Sequence, residues 1–116
     1  MKKLDIPIIS KTYELYILIH LQQTNIPKLE RFTIWQKLQN TCLNTLENLI
    51  LTGYIEQKNR LEQLIKVGVQ IDLLRFFVRL SFDTKIINQK TYLKLQSQID
   101  EIGRMLGGWI KSMKNK

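Results

Sequence analysis

A chain of 116 residues with 44% hydrophobic side chains can fill one compact core but not two, so residues 1–116 are expected to form a single domain. Its one cysteine, Cys42, excludes an internal disulfide, and Asp5 and Pro7 interrupt any secretion-signal core behind Lys2 and Lys3, so the expected compartment is the cytoplasm. The net charge of +8 comes almost entirely from residues 57–116, with twelve basic side chains against five acidic, while residues 1–56 hold six against five; such a field attracts nucleic acid, anionic lipid or acidic protein.

The first helix is predicted over 8–22, with Ile9, Tyr13, Tyr16 and His20 recurring at spacings of four, three and four. Thr24-Asn25-Ile26-Pro27 closes it. A second helix follows over 28–52, its apolar stripe made by Trp35, Leu38, Cys42, Leu46 and Leu49, and Gly53 stops it. Asn59 and Glu62 have the spacing of a capping box and mark the start of a third helix reaching Ile87. Asn88 caps a fourth over 89–113, where Tyr92, Leu95, Ile99, Ile102, Leu106, Trp109 and Met113 alternate three and four without a fault. No segment sustains the alternation of a strand, and loops of a few residues favour antiparallel neighbours. The expected fold is therefore an all-α, antiparallel, up-down-up-down four-helix bundle. No apolar run approaches the roughly 20 residues of a membrane span, because His20, Glu47, Gln70 and Arg75 break the longest candidates.

Helix three carries more apolar residues than a bundle needs. Leu64, Val67, Ile71, Leu74 and Val78 make one stripe, and Ile65, Val69, Leu73, Phe76 and Leu80 make a second on another face. Between them runs a polar strip of Gly68, Asp72, Arg75, Arg79 and Asp83. One stripe faces the core; the other, left bare, would be a large apolar patch, so association into a homo-oligomer is expected, with Leu73 and Phe76 in the contact. Arg75 and Arg79 can pair with Asp72 and Asp83 along the helix. Their place between two apolar stripes also reads as an interface or binding role.

Groups for catalysis stand alone. His20, the only histidine, and Cys42 both read as packed core residues, and no phosphate loop or cluster with metal-ligand spacing occurs, so no catalytic residue, cofactor or metal is expected. Gly103, Gly107 and Gly108 are the most distinctive feature, since each costs a helix roughly 0.8–1 kcal/mol relative to alanine. Ile102, Met105, Leu106 and Trp109 point the run at the core, with Trp109 and the glycines assigned to helix or subunit packing. Bare backbone beside Arg104 and Lys111 admits either a phosphate or another helix. With Arg31 of helix two, Arg75, Arg79, Arg104 and Lys111 form the candidate set for binding nucleic acid or a protein partner.

Ile6-Pro7 followed by Lys11-Thr12-Tyr13-Glu14-Leu15-Tyr16, Pro27-Lys28 with Arg31-Phe32-Thr33, Asp72-Leu73-Leu74-Arg75 with Arg79-Leu80, and above all the run from Ile102 through Gly103-Arg104 to Gly107-Gly108-Trp109-Ile110-Lys111 give the chain its character. On these motifs, over about residues 6–113, it resembles the accessory variability determinant proteins of diversity-generating retroelements. The resemblance implies a four-helix protomer in a five-membered, barrel-like ring with a positive surface. It also implies a non-catalytic partner of a reverse transcriptase that copies a template RNA with errors, one that binds the polymerase and RNA or DNA. The four-helix proteins encoded in intervening sequences of ribosomal RNA genes are the nearest alternative family. Asn40-Thr41-Cys42-Leu43-Asn44-Thr45-Leu46-Glu47 departs from their helix-two pattern. An alternative of another class is a structural oligomer whose charge only confers solubility.

Overall fold

The computed structural model describes residues 6–115. Lys2, Lys3 and Asp5, on which the expectation about secretion rests, lie outside them. Four α-helices, α1 (Pro7–Leu21), α2 (Ile34–Thr52), α3 (Gln57–Asp83) and α4 (Gln89–Lys114), account for most of the described chain, which holds no strand. Short 3-10 turns at Gln22–Asn25 and Lys28–Glu30 join α1 to α2. Each helix packs on two others in a closed square, α1 on α2 and α4, α3 on α2 and α4. The register is antiparallel throughout. Trp35 Nε1 donates to the Ile19 carbonyl at 3.3 Å and the Cys42 thiol to that of Thr12 at 3.9 Å, while Gln63 reaches back to Asn48 and Gln96 to the Arg75 carbonyl. The result is an up-down-up-down bundle, as the sequence pattern leads one to expect.

The core is filled by the inward stripes of all four helices: Leu15 and Ile19, Trp35 and Leu38, Leu64 and Val67, Leu95 and Ile99 are each completely buried. Burying one such aliphatic side chain stabilises the fold by about 1.5–3 kcal/mol, so these stripes outweigh any surface pair. Thr12, Thr45 and Thr52 sit among them without an unsatisfied hydroxyl, because each donates to the carbonyl four residues earlier at 2.7–2.8 Å. Cys42 is a core residue, as expected. Burial pushes its thiol up to about 12 from an ordinary value of 9.0, so the thiolate does not form near neutrality. A thiol reagent at pH 8 is expected to label the native protein very slowly and the urea-unfolded chain at once; fast native labelling would contradict the burial. The raised value also fixes a sign: the unfolded chain loses this proton first, so stability falls as pH rises from about 9 toward 12.

Several boundaries differ from the sequence expectation. The stripe of α1 is only half as expected: Ile8, Ile9, Thr12, Leu15 and Ile19 are the buried set and Tyr16 packs partly against the core, but Tyr13 is 45% exposed, and His20 is exposed rather than packed, stacking on Tyr16 with ring centroids 6.1 Å apart. Helix α2 begins at Ile34, not at residue 28. Pro27 holds extended backbone, Lys28–Glu30 makes only a 3-10 turn, and Thr33 at φ −117°, ψ −104° breaks the path before the helix sets off. The capping box does not form, because α3 starts at Gln57 with Glu56 as its flanking residue, and Asn59 is already inside the first turn with its N–H on the Glu56 carbonyl at 2.9 Å. At its other end α3 stops at Asp83 instead of Ile87. Lys85 adopts φ 65°, and the N–H groups of Ile86 and Ile87 close on the Ser81 carbonyl. A lysine in that left-handed region costs about 1–2 kcal/mol where glycine would cost little. The expectations for Gly53 as the stop of α2 and Asn88 as the cap of α4 match the structure: Asn88 Oδ1 accepts from the Thr91 N–H at 2.8 Å.

Candidate functional site

The two apolar stripes of α3 separate cleanly in the fold. Leu64, Val67, Ile71, Leu74 and Val78 are at most 2% exposed, whereas Ile65, Val69, Leu73, Phe76 and Leu80 are 40–71% exposed and form a row on the outer side. Scattered surface hydrophobics are ordinary, but five in register on one helix face, with Phe76 the most exposed, are the kind of contiguous patch that marks an association surface.

Arg75 and Arg79 stand along the edge of that row, where α3 meets α4. Arg75 is clamped between two carboxylates: Nη1 lies 2.8 Å from Asp72 of its own helix, and Nε 3.2 Å from Asp100 of α4. Arg79 Nε bonds both oxygens of Asp83 at 3.0 and 3.1 Å, and its guanidinium carbon lies 6.0 Å from the Tyr92 ring centre. Tyr92, and then Asp83, hold the Arg79 guanidinium even more firmly charged than usual. Both arginines are thus oriented, as the pairing with Asp72 and Asp83 allows. Two cations among Asp72, Asp83 and Asp100 leave the notch slightly acidic, so the protein's positive field does not originate here. An aromatic, mixed-charge notch beside an apolar row has the composition of a protein–protein contact more than of a phosphate cradle.

The glycines divide into two kinds. A side chain at Gly103 would run into the Arg75 guanidinium, so this glycine makes room for the Arg75–Asp100 clamp. At Gly107 and Gly108 an added Cβ would meet nothing within 4 Å, and both residues are exposed. Packing within the protomer therefore explains Gly103 and leaves the other two without an internal reason. Trp109 is half-buried against the core.

Arg104 and Lys111 are exposed on the outer face of α4 and make no ion pair with any described residue. Projected at 100° per residue, they fall on one strip with Lys90, Lys94, Ser97 and Gly108, opposite the buried Leu95, Ile99, Ile102 and Leu106. Glu101, at the middle of the strip, is held by Lys11 of α1 at 3.3 Å. Lys90, Lys94, Arg104 and Lys111 therefore line an outer track roughly 31 Å long, at 1.5 Å per residue. Lys90 and Lys94 were not singled out in the sequence, although their four-residue spacing and shared face with Arg104 signal the track. Arg31 is placed elsewhere: Nε donates to the Ile26 carbonyl at 2.9 Å and Nη2 to that of Thr24 at 3.3 Å, bracing the α1–α2 turn. Among the described residues no group of three or more His, Cys, Asp and Glu could hold a metal, and no helix is long and apolar enough to cross a membrane.

Fold and surfaces together define a four-helix bundle with a bare apolar-and-arginine face on α3 and a cationic track on α4. The chain belongs to the bAvd-like family, whose pattern it matches over residues 7–113, from the first turn of α1 to the last turn of α4. No curated protein matches the sequence.

Proposed function

We propose that this bAvd-like protein is the non-catalytic accessory protein of a diversity-generating retroelement. It assembles into a ring-like homo-oligomer of five subunits and binds both the element's reverse transcriptase and nucleic acid in the cytoplasm. The observation that carries this reading is the outer row of α3, an apolar face that the bundle does not use, edged by two oriented arginines. The family match supports the biological setting. The surfaces divide the labour: the row and notch of α3 suit protein partners, and the α4 track suits a phosphate backbone, which recognises distributed charge rather than base sequence. Catalysis belongs to the polymerase, and the chain contributes assembly and positioning.

Salt dependence is the direct test of the second surface. If Lys90, Lys94, Arg104 and Lys111 each neutralise one phosphate of a single strand, log K falls with log salt at a slope of about −2.8, and affinity drops roughly fiftyfold between about 50 and 200 mM salt. Anisotropy of a fluorescent RNA dodecamer measures this. Binding that is unchanged over that range sinks the nucleic-acid reading.

A further inference from the structure

At the end of the bundle where α1 and α3 finish and α4 begins lies a groove of about 820 Å3. Such a volume falls within the roughly 300–1,000 Å3 typical of small-molecule and cofactor sites. Its walls are chemically unlike one another. Lys85, Lys90 and Lys94 form one rim, Gln22 and Asn25 contribute amides to the lining, and Phe82, Ile86 and Ile26 add apolar surface. Among the described residues no acidic one lines it, and none of the three lysines makes an ion pair with a described residue.

We propose that this groove takes one unpaired nucleotide of a single-stranded nucleic acid, its phosphates on Lys85, Lys90 and Lys94 and its base on the Phe82–Ile86 surface near Gln22 and Asn25. Three features favour that ligand over a bare anion. Three uncompensated cations on one rim demand a polyanion, and two of them, Lys90 and Lys94, also begin the α4 track, so a strand lying on the track leads into the groove. Phe82 lines the groove and is held by stacking on Tyr92, ring centroids 4.5 Å apart and planes 14° apart, and bases stack on aromatic side chains. Asn25 Nδ2 donates to Gln22 Oε1 at 3.2 Å, leaving a carbonyl on Asn25 and an amino group on Gln22 for a base edge. A paired base inside a duplex cannot enter such a groove, so an unpaired one is required. Lys85, which lines the groove, stands in left-handed backbone at φ 65°, a conformation uncommon for a lysine. Arg31 braces the turn that carries Asn25 and Ile26, and so acts as a positioning residue for this wall.

The inference rests on the nucleic-acid reading above and locates it. The test uses the full chain and a fluorescent single-stranded RNA dodecamer of mixed sequence. The Lys85→Gln/Lys90→Gln/Lys94→Gln variant is compared with the charge-matched Lys58→Gln/Lys66→Gln/Lys114→Gln, whose lysines lie away from this end of the bundle. With Lys85 as a fifth contact beside the four of the α4 track the slope becomes about −3.5; the groove variant is expected to lose at least about tenfold in affinity and to flatten the slope by about 2, the loss of three single-strand phosphate contacts, while the control loses less than about threefold. Gln22→Ala/Asn25→Ala is expected to keep the salt slope and reduce the preference for single strand over a duplex of the same length. Equal losses in both lysine variants, or none in the groove variant, overturn the site while leaving RNA binding in place. Absence of RNA binding by the unmodified protein instead overturns the nucleic-acid reading itself, and with it this site. Groove-dependent sedimentation with phosphatidylglycerol vesicles in place of RNA binding overturns it in favour of a lipid surface.

Discussion

Val69→Glu/Phe76→Glu is expected to convert the proposed homo-oligomer into a folded monomer of about 14 kDa, close to the 13.8 kDa of one chain. Both positions are exposed in the protomer, at 57% and 71%, so neither substitution touches the core, and the inward stripe from Leu64 to Val78 stays intact. In an assembly the same positions lie at the centre of a row roughly 22 Å long, from Ile65 to Leu80 at 1.5 Å per residue. A carboxylate buried there without a partner costs several kcal/mol, and central aromatic anchors commonly contribute about 2 kcal/mol or more each. Since about 1.4 kcal/mol is a factor of ten, the pair should weaken association at least a thousandfold, enough to dissociate it at micromolar concentration. Light scattering reads the mass and circular dichroism the helix content. A variant with unchanged helicity that retains the mass of the unmodified protein would show that subunits meet elsewhere, and an unmodified protein of one-chain mass would remove the oligomer from the account.

How much of this was readable beforehand depends on where each signal resides. Helix α4 was legible almost to the residue because its core positions are all apolar and its cap lies within four residues of the bond it makes. In α1 half the stripe was misread because Thr12 occupies a core slot that a hydrophobicity pattern treats as polar, while Tyr13 and His20 look apolar enough to continue the stripe outside. The backbone carbonyl that satisfies Thr12 is invisible in a pattern. Asn59 and Glu62 carry a genuine capping spacing, but α3 begins earlier at Gln57, and Arg60 Nε then ties the preceding Ile55 carbonyl at 3.1 Å.

The same division runs through the surfaces. Arg75 and Arg79 stood out because they lie on the polar strip between two apolar stripes of α3, a relation that sequence spacing alone encodes. Asp100 and Tyr92, which complete the notch, come from α4 and can be joined to them only after α3 and α4 are docked. Gly103 likewise acquires its explanation from Arg75 on another helix. The groove is further from reach, because three segment ends build it and Lys85 enters by an unforeseen helix stop. Local periodicity locates faces, whereas a site assembled across helices requires the packing.

Arg75→Ala/Arg79→Ala is expected to leave the protein helical and the proposed oligomer intact while abolishing most of the proposed association with the reverse transcriptase, and hence template copying. The ion pairs lost, from Arg75 to Asp72 and Asp100 and from Arg79 to Asp83, are exposed ones: Arg75 retains 37% and Arg79 60% side-chain accessibility, and solvent screens pairs of that kind. If structure were their whole purpose, the double variant would keep nearly the same stability and bind a partner normally. The geometry argues for more. Asp72, Asp100 and Asp83 hold both guanidinium groups in fixed orientations beside exposed Phe76, which reduces the ordering cost when a partner supplies carboxylates or carbonyls. Arginine presents a planar fork that lysine does not, so Arg75→Lys/Arg79→Lys should recover charge but only part of the binding. Pull-down with the reverse transcriptase, run beside circular dichroism and light scattering, separates the cases. Full polymerase binding by the folded double alanine variant refutes the contact role, and collapse to one-chain mass reassigns both arginines to the junction between subunits.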